Sequence, residues 1–151
     1  KFVIDAAYAA FAFGAYQGGM AFARFTGDIL RVKVGAVRLV FVSALLTAVG
    51  TVVALIAPTP LTAMIAFAAA GIGIGNVAPV LFAGGGRLEP DAPGRGIAAV
   101  TTMGYSGFLA GPPLIGFAAE LSNLQIGLGL TVIAALIIAV FARQVQSADT
   151  Y

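Results

Sequence analysis

Cysteine and histidine are both absent from this 151-residue chain, and only 9% of its residues are charged. Without thiols there is no disulfide and no thiolate metal site. Without imidazole there is no Ser-His-Asp triad and no axial ligand for haem or chlorophyll. No metal, no cofactor and no enzymatic activity is expected. The formal charge of +2 is too small and too scattered to bind nucleic acid. A water-soluble domain carries roughly a quarter charged residues, whereas here 60% of residues are apolar and the mean hydropathy is +1.03. The lipid bilayer is therefore the expected solvent. Lys1 is not a start methionine, and no signal-like segment precedes the first apolar run, so the chain reads as part of something longer.

What is present is a set of long uncharged runs. The longest, Leu39 to Gly86, extends over 48 residues. A hydrocarbon core about 30 Å thick needs roughly 20 apolar residues at about 1.5 Å rise, so this run is two spans joined at Pro58-Thr59-Pro60. Ala6 to Ala23, Gly96 to Ala119 and Leu121 to Ala142 supply three more. None of them alternates polar with apolar, which excludes the strands of a membrane barrel. The expected fold is an all-α polytopic transmembrane bundle in one domain, with spans at about 2–26, 36–57, 61–83, 96–120 and 124–142.

Charge orients these spans. Arg24, Arg31, Lys33 and Arg38 flank the first connection, Arg87 and Arg95 the third, and Arg143 follows the last span; the second and fourth connections hold neither Lys nor Arg. Threading five spans puts all of these on one side, which the positive-inside rule makes cytoplasmic. The N-terminus is then outside and the C-terminus inside, in a bacterial inner membrane. Glycine is concentrated in the first, third and fourth spans, and Ala15, Gly19, Ala23 and Gly27 recur at i+4, a pattern that lets membrane helices approach closely. Those three spans are expected inside the bundle and the second and fifth against lipid.

Within the spans, polar residues are few. Asn76 follows Gly71-Ile-Gly73-Ile-Gly75 in an otherwise apolar run, and Pro79 removes the donor for the carbonyl near residue 75. Asn76 serves either as an interhelical hydrogen bond or as part of a polar cavity near the midplane, where secondary transporters hold cargo. The glycine pattern is not a dinucleotide fingerprint, because strand and polar helix are missing around it. Gln17, Tyr16, Thr102 and Tyr105 are the other candidates for contact with a solute. The acids Asp5 and Glu120 fall at span ends, and no acid lies at a span centre. In the first connection, Asp28 sits among Arg24, Arg31 and Arg38. An acid at the end of a helix opposes its dipole, so a cation or another helix N-terminus is its expected partner. This loop either sets topology only or acts as a latch.

In Asp28, Gly35 and Arg38 the loop resembles the signature of the major facilitator superfamily, found between the second and third helices and echoed between the eighth and ninth. Six residues separate Asp28 from Gly35, where the strict signature has two, and Arg24 replaces its leading glycine, as in a degenerate second copy. Gly107-Phe-Leu-Ala-Gly111-Pro112-Pro113 is similar to the superfamily's G-x-x-x-G-P motif, a bend against which a neighbouring helix presses. The resemblance implies helices eight to twelve of a twelve-helix transporter, in its fucose-permease-like or sugar-transporter-like branch. It also implies a small polar solute as cargo and, as partner, a missing N-terminal half of the same protein whose helix end would face Asp28. Pro79, Gly111, Pro112 and Pro113 would be hinge positions. The rival reading is a non-transporting membrane scaffold or assembly subunit.

Overall fold

The computed structural model describes residues 6–88 and 90–149. Six α-helices follow one another: α1 (Ala6–Val34), α2 (Ala36–Ile56), α3 (Pro60–Gly75), α4 (Val77–Leu88), α5 (Pro93–Leu121) and α6 (Leu124–Val140). A 3-10 helix, Ala142–Asp149, ends the described chain. The expectations for Phe2 and Asp5 lie outside the described residues.

Helix formation is what the apolar runs dictate, but several ends differ from the sequence expectation. α1 does not stop near Thr26. It runs on for two more turns to Val34, with Arg31 and Lys33 in its last turn, where cations complement the dipole. The first connection is therefore the single residue Gly35, whose φ of 83° makes the abrupt turn a side chain would resist. Asp28 is a helix-interior residue and not a helix end.

The third span is interrupted at Asn76, although its halves together make one 29-residue span, Pro60–Leu88. Pro79 explains the break. It cannot donate to the carbonyl of Gly75, yet it falls in the first turn of α4, where amides have no intrahelical acceptor anyway. Thr59 begins α3 with a capping box, its hydroxyl taking the Thr62 amide at 3.2 Å. Asn123 caps α6 without a box, its side-chain oxygen taking the Ile126 amide at 2.9 Å.

Two helices, α2 and the α3–α4 pair, are long and apolar enough to cross a membrane by themselves; α6 joined to the 3-10 helix makes a third across a 54° bend. α1 and α5, 29 residues each, have the length. Their glycines, hydroxyls and terminal charges dilute the apolar content, so their place in the bilayer depends on neighbours.

Around the bundle, α1 packs on α3, α3 on α2, α2 on α6, α6 on α5 and α5 on α4. The core is built mainly from alanine, with Val40 its largest fully buried side chain, while Phe11, Phe25, Phe108 and Leu109 lie outside. That is the distribution of a bilayer-embedded bundle, where small residues make the contacts and large ones meet lipid.

α3 shows how the glycines work. Gly71 and Gly75, one turn apart, face α1, and a Cβ on Gly75 would sit 2.7 Å from the Met20 carbonyl oxygen. Gly73, on the opposite side, faces Ser43 and Thr47 of α2, and Gly50 of α2 returns the contact against Ala66 and Ala70. The G-x-G-x-G run is thus a two-sided wedge that lets α3 sit backbone to backbone between α1 and α2. The stripe of Gly19, Ala23 and Gly27 on α1 is buried, as its spacing predicts.

The expected sorting of helices is corrected at α2. α2, placed against lipid by its low glycine content, buries ten residues and is central. α5, placed inside by its glycines, buries none among the described residues. Low glycine content did not keep α2 outside, because alanine, serine and threonine are small enough to serve the same packing.

Candidate functional site

A cavity of about 620 Å³ opens between α1 and α6, floored by α2 and α3. α1 contributes Ala12, Phe13 and Tyr16, α2 Thr47 and Thr51, α3 Phe67 and Ile74, and α6 Leu128, Thr131 and Ile138.

Its hydroxyls are already committed. Thr47 donates to the Ser43 carbonyl at 2.9 Å, Thr51 to the Thr47 carbonyl at 2.8 Å and Thr131 to the Leu128 carbonyl at 2.6 Å. These are the back-bonds that Thr makes within a helix, and they leave the cavity wall with little to offer a polar molecule beyond the Tyr16 side chain. In chemical terms the cavity is an apolar slot with one phenol.

The five candidate solute contacts do not converge. Tyr16 lines the cavity. Gln17, the next residue, is exposed. Thr102 and Tyr105 lie on α5, outside the cavity; Tyr105 is 67% exposed, and the Thr102 hydroxyl donates to the Ala98 carbonyl at 2.8 Å.

Asn76 is 5% exposed and sits at the break between α3 and α4. Its Oδ1 packs where a Cβ on Gly27 of α1 would be, and it has no hydrogen-bond partner among the described residues. An acceptor buried without a donor costs about 1–3 kcal/mol, and among the described residues this oxygen makes no hydrogen bond to a neighbouring helix.

Asp28, Arg24 and Arg38 are exposed, Arg31 is half-buried, and none of the four forms an ion pair among the described residues. The carboxylate that does meet a helix N-terminus is Asp149, whose two oxygens each lie 2.8 Å from the Ala36 amide. Sequence reasoning missed it. α2 begins after a glycine with no Ser, Thr, Asp or Asn to cap it, which signals a need for an outside acceptor, but nothing local says that residue 149 supplies it.

Of the hinge positions, Pro79 and the Pro112-Pro113 pair are exposed. Both prolines of the pair lie inside α5 and deny donors to the carbonyls of Phe108 and Leu109. A Cβ on Gly111 would meet nothing within 4 Å, so the helix expected to press on this bend is not among the described residues.

Comparison with known proteins adds a family likeness. Over 126 residues, 83% of this chain, the sequence is 34% identical to an uncharacterised MFS-type transporter of Yersinia pestis, matching 33% of that protein. That relative is named as a member of the major facilitator superfamily. The chain is also 34% identical over 106 residues, 70% of its length, to the membrane protein MosC of Rhizobium meliloti, matching 25% of it. The chain thus spans about a third or less of the length of these curated relatives. No protein-family model and no solved structure matches it. That likeness fits the all-helical, alanine-cored membrane bundle.

Proposed function

We propose that the chain is the C-terminal part, helices eight to twelve, of a secondary active or facilitative transporter that carries a small polar solute by alternating access. The observation that carries this reading is the unfinished face of the bundle. Cβ atoms on Gly14 and Gly18 of α1, and on Gly104, Gly107, Gly111 and Gly116 of α5, would meet nothing within 4 Å. Glycines in membrane helices are placed for close backbone approach, so these two helices are fitted to further helices of the same protein. The missing N-terminal half expected from the resemblance is such a partner, and the apolar slot between α1 and α6 has the character of a seat for one more helix. Cargo would then lie between the halves, near Tyr105 and Thr102 on the open side of α5, with Gln17 on α1. Asn76 would join them when α1 and α4 shift. Within the superfamily we assign the chain to the fucose-permease-like or sugar-transporter-like branch, in a bacterial inner membrane.

The test is uptake of radiolabelled sugars and other small polar solutes by proteoliposomes containing the full-length protein. Saturable uptake that Tyr105→Phe and Gln17→Ala weaken at equal protein level supports the reading. No uptake of any such solute, together with a stable complex between this protein and another membrane protein, favours the scaffold alternative. One observation favours that alternative: the largest cavity described is dry in character, with its threonine hydroxyls turned back on their own helices.

A further inference from the structure

α2 borrows its cap from the far end of the chain. It follows Gly35 directly and has no side-chain cap of its own, and its first amide is bonded to both carboxylate oxygens of Asp149, 113 residues away. A carboxylate there satisfies an orphan donor and faces the positive end of the helix dipole. The same short helix also grips α4: the Arg87 guanidinium donates to the Ala148 carbonyl, and the Ser147 hydroxyl donates to the Gly84 carbonyl at 3.4 Å. Beneath these bonds, Ala142, Val145 and Ala148 bury themselves against Leu39 and Val40 of α2 and Val80 of α4. One eight-residue segment therefore ties together two helices that otherwise touch little, since α2 leans chiefly on α3 and α6 and α4 on α5.

The segment is set apart from the helices it joins. It leaves α6 through a 54° bend and is a 3-10 helix, whose hydrogen bonds are poorer than those of an α-helix and which rarely lasts for eight residues unsupported. Arg143, Gln144 and Gln146 on its other face are exposed, so its hold on the bundle is the inner face of Ala142, Val145 and Ala148 and the bonds of Asp149, Ala148 and Ser147.

We propose that residues 142–149 are a detachable strap, and that Asp149 on the start of α2 is its buckle. Docked, it holds the ends of α2 and α4 in fixed relation; undocked, it lets them part at this end of the bundle. Its consequence for transport rests on the reading given above; its mechanical action does not.

Backbone hydrogen exchange on the full-length protein in nanodiscs tests the strap, comparing wild type with Asp149→Ala and Asp149→Asn. Loss of one cap is expected to raise exchange over residues 36–40 and 142–149 about tenfold in Asp149→Ala. Asp149→Asn, whose amide oxygen still accepts, should show a smaller rise, and residues 62–70 of α3 should not change. Unaltered exchange at 36–40 overturns the proposal, and so does an equal rise at 62–70, which means general loosening. The transport arm reads maximal rate against half-saturation: Asp149→Ala should change the rate and leave half-saturation alone. Wild-type rates beside loosened residues 36–40 would make the strap a passive clasp and remove its governing role. If the wild-type protein carries no solute, the transporter reading fails, while the exchange result still decides the strap.

Discussion

Asn76, at the break between α3 and α4, meets Gly27 of α1. The carboxamide oxygen is buried with no donor among the described residues, and it fills the space above the glycine. Removing it takes away an unsatisfied acceptor and leaves a small void, two effects of opposite sign and each about 1–3 kcal/mol. Asn76→Ala is therefore expected to leave the melting temperature in detergent within a few degrees of wild type while weakening solute binding. A large fall in melting temperature would instead reveal a strong interhelical bond. Gly27→Ala drives a methyl into the Asn76 oxygen and should cost about 1–3 kcal/mol. In the double variant most of that cost should vanish, because the clash needs both partners, and additive losses would refute the contact. Asp28 is exposed and unpaired among the described residues, so Asp28→Asn should not alter stability. Any effect it has on transport rate would come from a partner elsewhere in the full protein.

At the scale of the helix, two kinds of glycine are distinguished by their neighbours. Gly73 of α3 faces the backbone of α2, with the Thr47 amide 2.6 Å from where a Cβ would lie, and backbone cannot step aside as a side chain can. Gly73→Ala should lower the stability of the full-length protein by about 2–3 kcal/mol, seen as loss of folded, monodisperse material after heating. Gly107 and Gly111 of α5 meet nothing here. If α5 packs against the remaining helices of a transporter, alanine at both positions should destabilise the full-length protein despite the better helix propensity of alanine. A gain in stability, of up to about 1 kcal/mol per site, would mean that α5 faces lipid. The G-x-G-x-G run could be read from sequence as a packing feature because no nucleotide-binding context surrounds it. Its two-sidedness could not, since which neighbour each glycine meets depends on how α1 and α2 are placed.

For the molecule as a whole, the chain's lack of cysteine makes its topology directly testable. Single cysteines at Lys33, Thr59 and Ser122 should divide by side. An impermeant thiol reagent applied to intact cells should label positions 59 and 122, and position 33 only after the membrane is opened. Labelling of position 33 in sealed cells would reverse the orientation. Thr59 and Ser122 both lie at the connections that contain no Lys or Arg, while Gly35, Arg87 and the strap gather at the opposite end. The strap is thus expected to act on the cytoplasmic side.

Composition and the lengths of the uncharged runs were enough to dictate a membrane helix bundle, because burying a backbone in hydrocarbon leaves few alternatives to helices. They also marked the Pro58–Pro60 turn, the carbonyl near residue 75 that Pro79 leaves without its donor, and the close-packing stripe of Gly19, Ala23 and Gly27. All of these follow from local rules of proline geometry, capping and i+4 spacing. Only the tertiary structure decided that α2 is central and that Asp149 caps α2. Each of these depends on a partner distant in sequence: the acceptor for Ala36 is 113 residues away, and the worth of a small residue is set by the helix opposite it. A one-dimensional pattern can show that a group needs a partner, but which partner meets it is fixed by packing in three dimensions.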